Sequence, residues 1–283
     1  MDFYRKRLLD AKRIVIKVGT STLTYDNGRI NIFRIEKLAR VLADFGNQGK
    51  ELVLVTSGAV GVGVGKLKMK EYPKSMMEKQ AVAAVGQSEL MHIYSKFFSE
   101  FGHIVGQILL TKDVVDEPKR RENVVNTFET LLAKGIIPIV NENDSVSIEQ
   151  LEDEEKKVFG DNDTLAAIVS EIVDADLLII LSDIDGFYDS DPNTNPESKK
   201  ISYITEITDE IESSATGAGT KRGTGGMATK ILAAKITSDA GVDLVIANGQ
   251  DPAILRDILN GEDIGTIFVS KHSQEVRNGS IKE

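Results

Sequence analysis

Short apolar runs rich in β-branched residues alternate with longer amphipathic stretches along this chain, and this alternation constrains the fold more than any other feature. Alternating strands and helices pack as a mostly parallel sheet with helices on its faces. Several runs are apolar at both odd and even positions, which predicts that both faces of the sheet are covered. The predicted strands are residues 14–18, 52–56, 104–110, 136–140, 177–181, 244–247 and 266–269.

The segments between the predicted strands have helix signals. Apolar residues recur at helical spacing over residues 35–45, and Gly46 predicts the end of that helix. Ser75 and Glu78 have the spacing of a capping box, which predicts the start of a long helix that ends near Gly102. Further helices are predicted at residues 118–134, 164–173, 227–240 and 252–259.

The composition excludes several functional classes. Because the chain has no cysteine, it forms neither disulfides nor thiolate metal sites. The formal net charge of -10 argues against a nucleic-acid binder, which needs a basic surface. None of the few histidines forms an HExxH pattern, so we expect no histidine-rich zinc site. No apolar run reaches the roughly 18 residues of a membrane span, and we therefore expect a cytoplasmic protein.

Polar or glycine-rich segments follow the predicted strands, at the sheet edge where parallel α/β proteins bind their ligands. Lys17 lies near the end of the first strand and precedes Gly19, which lets backbone amides approach an anion; an ordinary surface lysine is the alternative. Residues 57–65 are rich in glycine and match neither a Walker loop nor GxGxxG. They could expose amides to a phosphate or carboxylate, or form a tight crossover into a helix.

Two clusters of asparagine and aspartate follow, one in the sequence Asn-Glu-Asn-Asp at residues 141–144 and one in Gly-Asp-Asn-Asp at residues 160–163. Side chains of this type commonly cap a helix, which is the alternative for the second cluster. Two such clusters at one sheet edge supply both donors and acceptors. Together they could bind the ammonium group of an amino acid.

An acidic turn follows the fifth predicted strand. It begins at Ser182 and Asp183, and its carboxylates suggest calcium. The EF-hand template fails, because a loop that starts at Asp189 has Thr194 and Lys200 where glycine and glutamate are required. A solvated turn is the alternative to a functional site.

A second glycine-rich segment, residues 217–226, leads into a helix that has Lys230 in its first turn. A flexible glycine loop before a helix N-terminus is suited to binding the phosphates of a nucleotide. The alternative is a surface loop with an ordinary helical lysine. This segment is also basic within an acidic chain, which favours an anionic ligand.

Taken in order, these segments resemble the amino acid kinase family, and within it the members that phosphorylate glutamate. The resemblance extends from about residue 14 to about residue 269. The motifs are IVIKVGTS, LVTSGAV, QAVAAVGQSEL, GQILLT, PIVNENDSV, GDND and GTGGMATK. Each is a weak signal alone, and their joint occurrence is specific.

The resemblance implies an α/β fold, a three-layer αβα sandwich with an open, mainly parallel sheet. It implies an ATP-dependent kinase that converts L-glutamate to L-glutamyl 5-phosphate, the first step of proline biosynthesis. It also implies one kinase domain over residues 1–283, with a substrate-binding lobe at about 1–180 and a nucleotide-binding lobe at about 181–270. The loop-rich residues 183–226 are the expected lobe boundary. No C-terminal PUA domain is expected.

The resemblance also implies roles for individual residues. Lys17 and Lys230 would neutralise the transferring phosphoryl group, and Asp163 would position both lysines. The expected glutamate-binding residues are Ser57, Gly58, Asn141, Asp144 and Asn162. The expected ATP-binding residues are Lys17, Gly19, Ser182, Asp183, Thr224, Gly225, Gly226, Met227, Ala228, Thr229 and Lys230. Mg²⁺ would be bound mainly by the ATP phosphates and not by a metal site of the protein.

Further expectations concern partners and alternatives. The resemblance implies a homo-oligomer, proline as a feedback inhibitor and a glutamyl phosphate reductase that consumes the product. Phe187 and Asp189 depart from the usual family sequence, which leaves the nucleotide preference open. The alternatives are an acetylglutamate, aspartate or uridylate kinase on the same fold, or a non-catalytic sensor. The substrate clusters have no surplus of basic residues for a monophosphate, which favours glutamate.

Overall fold

A computed structural model describes residues 2–25, 29–146, 161–190, 195, 197–215 and 226–274. Its strands are β1 (Arg13–Val18), β2 (Glu51–Val55), β3 (Val105–Leu110), β4 (Ile137–Glu142), β5 (Leu177–Ser182), β6 (Phe187–Tyr188), β7 (Lys200–Ile201), β8 (Tyr203–Ile204), β9 (Asp243–Asn248) and β10 (Thr266–Phe268). Eight of them form one sheet in the order β3-β4-β2-β1-β5-β9-β10-β8. The β9–β10 pair is antiparallel, and the other neighbours are parallel.

Helices cover both faces of this sheet. They are α1 (Phe3–Asp10), α2 (Thr20–Leu23), α3 (Ile32–Asn47), α4 (Ala59–Lys66), α5 (Met76–Glu100), α6 (Lys112–Asp116), α7 (Pro118–Ala133), α8 (Asn162–Ile172), α9 (Asp209–Ala215), α10 (Met227–Asp239) and α11 (Ile254–Leu259). Among the helices that the structure describes, none is long and apolar enough to cross a membrane.

Two hydrophobic cores explain the continuous apolar strands. In β1, Ile14 and Ile16 contribute to a core with α1, α3, α5 and α11, whereas Val15 contributes to a core with α7, α8 and α10. Successive strand residues point to opposite faces of the sheet. A strand that is apolar at both odd and even positions therefore packs against a helical layer on each face. The predicted αβα sandwich and its mainly parallel sheet are therefore confirmed.

All the predicted strands are present, and their ends agree with the sequence analysis to within two residues. The helix predictions are also confirmed, with small shifts at the ends. The helix predicted to end at Gly46 continues to Asn47, and the chain reverses at Gly49, which has a φ of 85°. Ser75 accepts the predicted capping hydrogen bond from the Glu78 N–H group at 3.2 Å.

The glycine-rich segment after β2 is a helix, which agrees with the crossover alternative. Gly58 precedes α4 with a φ of 89°, a left-handed conformation that favours glycine. A Cβ atom on Gly63 would lie 2.1 Å from the Val82 carbonyl oxygen. A Cβ atom on Gly86 would lie 1.7 Å from the Ala59 carbonyl oxygen. The glycines therefore allow α4 and α5 to pack backbone against backbone.

We expect Gly86→Ala to lower the free energy of unfolding by about 3 kcal/mol, because the new methyl group would overlap a backbone carbonyl group that cannot rotate away. Gly61→Ala is the matched control in the same helix pair. Its Cβ atom would meet only a Thr20 methyl carbon, at 3.7 Å, and alanine favours a helix by about 1 kcal/mol over glycine. Urea denaturation of both variants measures the difference, and equal stabilities would contradict the packing argument.

Candidate active site

A buried cluster of two lysines and one aspartate lies at the carboxyl edge of the sheet. Lys17 comes from β1, Asp163 from the first turn of α8 and Lys230 from the first turn of α10. The Lys17 Nζ atom lies 2.6 Å from Asp163 Oδ1, and the Lys230 Nζ atom lies 3.0 Å from Asp163 Oδ2. The structure thus brings together three residues that are far apart in sequence.

The electrostatics of this cluster favour an anionic ligand. Burial alone raises the pKa of Asp163, but the charges of Lys17 and Lys230 outweigh it and place the pKa below the ordinary aspartate value. One carboxylate neutralises only one of the two ammonium groups, so the cluster keeps a net positive charge. Such a charge in a buried setting attracts a phosphoryl or carboxylate group.

The backbone around the cluster provides further donors. A Cβ atom on Gly19 would lie 3.5 Å from the Lys17 Nζ atom, so the Gly19 backbone runs beside the ammonium group. Gly226 is the N-cap of α10 and supplies no side chain to cap its first N–H groups. Thr229 in the same turn donates a hydrogen bond to Asp163 Oδ2 at 3.3 Å. The positive end of the α10 dipole therefore lies at the cluster.

The remaining predicted ATP-binding residues divide into three groups. Ser182 ends β5 and donates to Asp183 Oδ1 at 3.0 Å, while the Asn248 side chain donates to the Asp183 carbonyl oxygen at 3.4 Å. Met227 and Ala228 lie in the first turn of α10, where Met227 packs against a core and Ala228 is exposed. The predicted residues Thr224 and Gly225 fall outside the described residues.

A network of amide side chains lies beside the ion-pair cluster. The Asn162 side chain donates to the Thr56 carbonyl oxygen at 3.1 Å and to Asn141 Oδ1 at 3.5 Å. Asn141 in turn donates to Gln87 Oε1 at 2.8 Å. The sequence analysis predicted Asn141 and Asn162 as site residues and missed Gln87, which lies on α5. The QAVAAVGQSEL motif contains Gln87 but gives no indication of its side-chain partner.

Ser57 and Gly58 form the turn between β2 and α4, next to the end of β1. The Ser57 hydroxyl group donates to the Val18 carbonyl oxygen at 3.2 Å and lies 3.4 Å from Thr20 Oγ1. This turn and the amide network occupy the ends of β1, β2 and β4, which are neighbours in the sheet. The structure thus brings the predicted substrate residues Ser57, Gly58, Asn141 and Asn162 together at three adjacent strand ends.

Asp144 follows β4 and has an unusual electrostatic environment. Burial raises the pKa of its carboxyl group. Burial and the charge of Asp144 also raise the pKa of Tyr72. Tyr72 belongs to the loop between α4 and α5 and was not predicted as a site residue.

The acidic turn after β5 is held by an internal hydrogen bond. In this turn, Asp185 accepts from the Tyr188 hydroxyl group at 2.9 Å.

The fold places this buried cluster at the carboxyl edge of a mainly parallel sheet, where α/β proteins bind their ligands. The model of the amino acid kinase family matches residues 12–248, so the chain belongs to the amino acid kinase family. This membership confirms the predicted resemblance and the predicted class of enzyme, an ATP-dependent kinase.

The chain is similar to curated proteins that are named glutamate 5-kinase. The relative from Clostridium perfringens is 62% identical over 270 residues, which cover 95% of this chain and 100% of the relative. The relative from Listeria monocytogenes is 58% identical over 276 residues, which cover 98% and 99% of the two chains. The relative from Clostridium acetobutylicum is 52% identical over 272 residues.

Solved structures with low sequence identity share the fold. The isopentenyl phosphate kinase of T. acidophilum has a TM-score of 0.61 and 17% identity, and the match covers 91% of this chain and 100% of that chain. The UMP kinase of Bacillus anthracis has a TM-score of 0.60 and 16% identity, with 92% and 97% covered. At this identity the comparison supports the architecture and not the substrate.

Proposed function

We propose that the chain is a glutamate 5-kinase. It transfers the γ-phosphoryl group of ATP to the γ-carboxylate of L-glutamate, and the products are L-glutamyl 5-phosphate and ADP. The observation that carries this proposal is the buried Lys17–Asp163–Lys230 cluster beside a network of amide side chains. The high identity to proteins named glutamate 5-kinase over nearly the whole chain supports the same substrate.

The ion-pair cluster performs the electrostatic part of the reaction. A glutamate carboxylate oxygen attacks the γ-phosphorus atom, and the bond from phosphorus to the bridging oxygen of ADP breaks. Lys17 and Lys230 stabilise the negative charge on the transferred group, which is the main requirement of phosphoryl transfer. The attacking carboxylate is already ionised, so no general base is needed. Asp163, with a lowered pKa and both oxygens facing lysines, positions the two ammonium groups.

The order of the strands sets the direction of the bound glutamate. Neighbouring strands are about 4.8 Å apart, so the ends of β1 and β4 are separated by about 10 Å across β2. The γ-carboxylate lies at β1 beside Lys17, and the amino-acid end extends toward β4. Asn141, Asn162, Ser57 and the Gly58 turn bind this end, and the carboxylate of Asp144 binds the ammonium group.

ATP binds on the other side of β1. Ser182 and Asp183 at the end of β5 and the N-terminal turn of α10 line this side, and the N–H groups of α10 bind phosphate oxygens. This arrangement supports the division into a substrate-binding lobe at about 1–180 and a nucleotide-binding lobe at about 181–270. We assign Mg²⁺ to the phosphate oxygens of ATP, which suit this ion.

Other features remain predictions from the family resemblance. These are a homo-oligomeric state, feedback inhibition by proline at the glutamate site, and a glutamyl phosphate reductase that consumes the product. An acyl phosphate hydrolyses readily in water, which gives a consuming reductase a chemical reason.

The reaction is tested by measuring Mg²⁺-dependent ADP release from ATP with hydroxylamine present, which traps an acyl phosphate as a hydroxamate. Glutamate, aspartate, acetylglutamate and UMP are compared as acceptors. Hydroxamate with glutamate, and little product with the other acceptors, supports the proposal. ADP release with a different acceptor reassigns the substrate, and binding of ATP without turnover indicates a sensor.

We expect Asp144→Asn to raise the glutamate concentration needed for half-saturation at least about tenfold, because a charge-assisted hydrogen bond to the ammonium group is lost. The turnover number should change little, since Asp144 does not face the phosphoryl group. In the wild type, half-saturation should also rise as the pH falls through the raised pKa of Asp144, because the protonated form no longer attracts the ammonium group.

Initial rates at a series of pH values, from neutral pH down to the ordinary aspartate pKa of 3.8, measure both effects. Asp257→Asn on the exposed surface of α11 is the control and should behave like the wild type. A normal glutamate dependence of Asp144→Asn would place the ammonium group elsewhere.

A further inference from the structure

We propose that Gln87 is a positioning residue that fixes the orientation of the substrate-binding amides Asn141 and Asn162. This inference rests on the proposed function, because it assigns a role within the same glutamate site. Gln87 lies on α5 and not at a strand end, and its side chain is buried. The amide oxygen accepts from Asn141 Nδ2 at 2.8 Å. The buried Nε2 atom has no hydrogen-bond partner in the described part of the chain.

The unpaired Nε2 atom is a consequence of the direction of the network. The backbone N–H group of Glu142 donates to Asn141 Oδ1 at 2.9 Å, and the Asn162 side chain donates to the same oxygen at 3.5 Å. Asn141 therefore has its oxygen toward two donors and its NH₂ group toward Gln87. Reversing the amide of Gln87 would place two NH₂ groups face to face. Because the Glu142 N–H group fixes the position of the Asn141 oxygen, the Asn141 NH₂ group faces Gln87 and requires an acceptor there.

A buried donor without a partner costs free energy, so the glutamine is not explained by stability alone. An apolar side chain of similar size, such as methionine, would fill the same volume and remove this unpaired NH₂ group, but the buried NH₂ group of Asn141 would lose its acceptor instead. The group that such a replacement would lose is the acceptor oxygen toward Asn141. The benefit of glutamine at this position is therefore the orientation of Asn141.

Close helix packing makes this orientation rigid. Gly86 precedes Gln87, and its α-carbon lies so near the Ala59 carbonyl oxygen that a Cβ atom would be 1.7 Å from it. α4 starts directly after the Ser57–Gly58 turn of the same site. Gln87 therefore lies on a helix that packs closely against α4, the helix that follows the Ser57–Gly58 turn. A side chain on a rigid element positions its neighbour more accurately than one on a loop.

Gln87 influences the orientation of Asn162 through Asn141. Gln87 fixes Asn141, and Asn141 Oδ1 then accepts from the Asn162 side chain, which also donates to the Thr56 carbonyl oxygen at 3.1 Å. Asn162 directly precedes Asp163 in the ion-pair cluster. Loss of the acceptor on Gln87 leaves Asn141 held through its oxygen alone, which should loosen the groups that bind glutamate and leave the ATP side unchanged.

The test compares Gln87→Met with the wild type in the hydroxamate assay. We expect half-saturation by glutamate to rise about tenfold, the size of effect that the loss of one oriented hydrogen bond produces. Half-saturation by ATP should change by less than about twofold, and the thermal midpoint should stay near the wild-type value, because the variant also removes the unpaired donor. Gln48→Met, at the exposed end of α3, is the control for the chemical change.

A double-mutant cycle with Asn141→Ala tests whether Gln87 acts through Asn141. If it does, the double variant needs no more glutamate than Asn141→Ala alone, so the two effects are not additive. Additive effects, an unchanged glutamate half-saturation, or equal changes for ATP and glutamate would each overturn the inference. Gln87→Leu replaces Gln87→Met if the latter does not fold. A wild-type chain that forms no hydroxamate from glutamate would overturn the proposed function itself, which distinguishes the two failures.

Discussion

Replacement of Lys230 by methionine is expected to lower the turnover number about a thousandfold, while half-saturation by glutamate changes by less than about threefold. Methionine keeps the apolar length of the side chain and removes only the ammonium group. The ammonium group lies 3.0 Å from Asp163 and is buried, so water has little access to take its place in the variant. In the proposed mechanism its charge acts mainly on the transferring phosphoryl group, and the loss should therefore appear in turnover.

Lys235→Met is the matched control on the same helix. Lys235 forms an ion pair with Glu212 at the surface of α10, on a different side of the helix from the cluster. Steady-state kinetics of both variants, with circular dichroism to verify folding, separate a catalytic lysine from a structural one. Near-normal turnover by Lys230→Met would remove Lys230 from the catalytic residues, and an equal loss in Lys235→Met would indicate a general effect on α10.

The fold was predictable because the strands of a buried parallel sheet have a strong local signal. Short runs that are apolar at both odd and even positions, such as residues 14–18 and 177–181, are compatible with few structures other than a buried strand. The two-residue strands β6 and β7 have no such signal. Their positions depend on tertiary hydrogen bonds, since Thr266 Oγ1 accepts from the Phe187 N–H group at 2.7 Å and donates to the Ile201 carbonyl oxygen at 2.6 Å. Contacts between residues this far apart in sequence are not encoded in local patterns.

The ion-pair cluster could be predicted from the sequence because each of its three residues lies in a motif of the family. Lys17, Asp163 and Lys230 meet as the resemblance implied, although their roles remain proposals. Gln87 and Tyr72 could not be found in this way, because their contacts with Asn141 and Asp144 join segments that are far apart in sequence. The glycine-rich run after β2 was ambiguous for a related reason. Only the helix pair shows that Gly63 and Gly86 serve close packing.

The second large effect is expected for Asp163→Asn, which should lower the free energy of unfolding at neutral pH by about 3 kcal/mol and turnover at least a hundredfold. The side chain of Asp163 is fully buried between two lysines. Asparagine has the same shape but no charge, and its NH₂ group must face one of the ammonium groups. Both buried ammonium groups would then lose the carboxylate that they share, and in the proposed mechanism they would no longer be positioned for the phosphoryl group.

The pH dependence of this loss follows from the pKa of Asp163. The two lysines lower that pKa below the ordinary aspartate value of 3.8, so the carboxylate stabilises the fold fully above that value and loses this contribution as the pH falls through the lowered pKa. The stability difference between the wild type and Asp163→Asn should therefore be constant from about pH 5 to 7 and narrow below about pH 4. Urea denaturation at several pH values measures it.

An exposed pair supplies the control for this prediction. Asp251 pairs with Lys37 at 2.8 Å near the surface, and solvent screens that interaction. Asp251→Asn should therefore change stability by less than about 1 kcal/mol, and it should leave turnover unchanged. If Asp163→Asn were no worse than Asp251→Asn, the buried cluster would contribute neither stability nor positioning, and Lys17 and Lys230 would have to be placed by other contacts. A loss of turnover without a loss of stability would instead show that the two lysines tolerate each other, and that Asp163 acts only in positioning them.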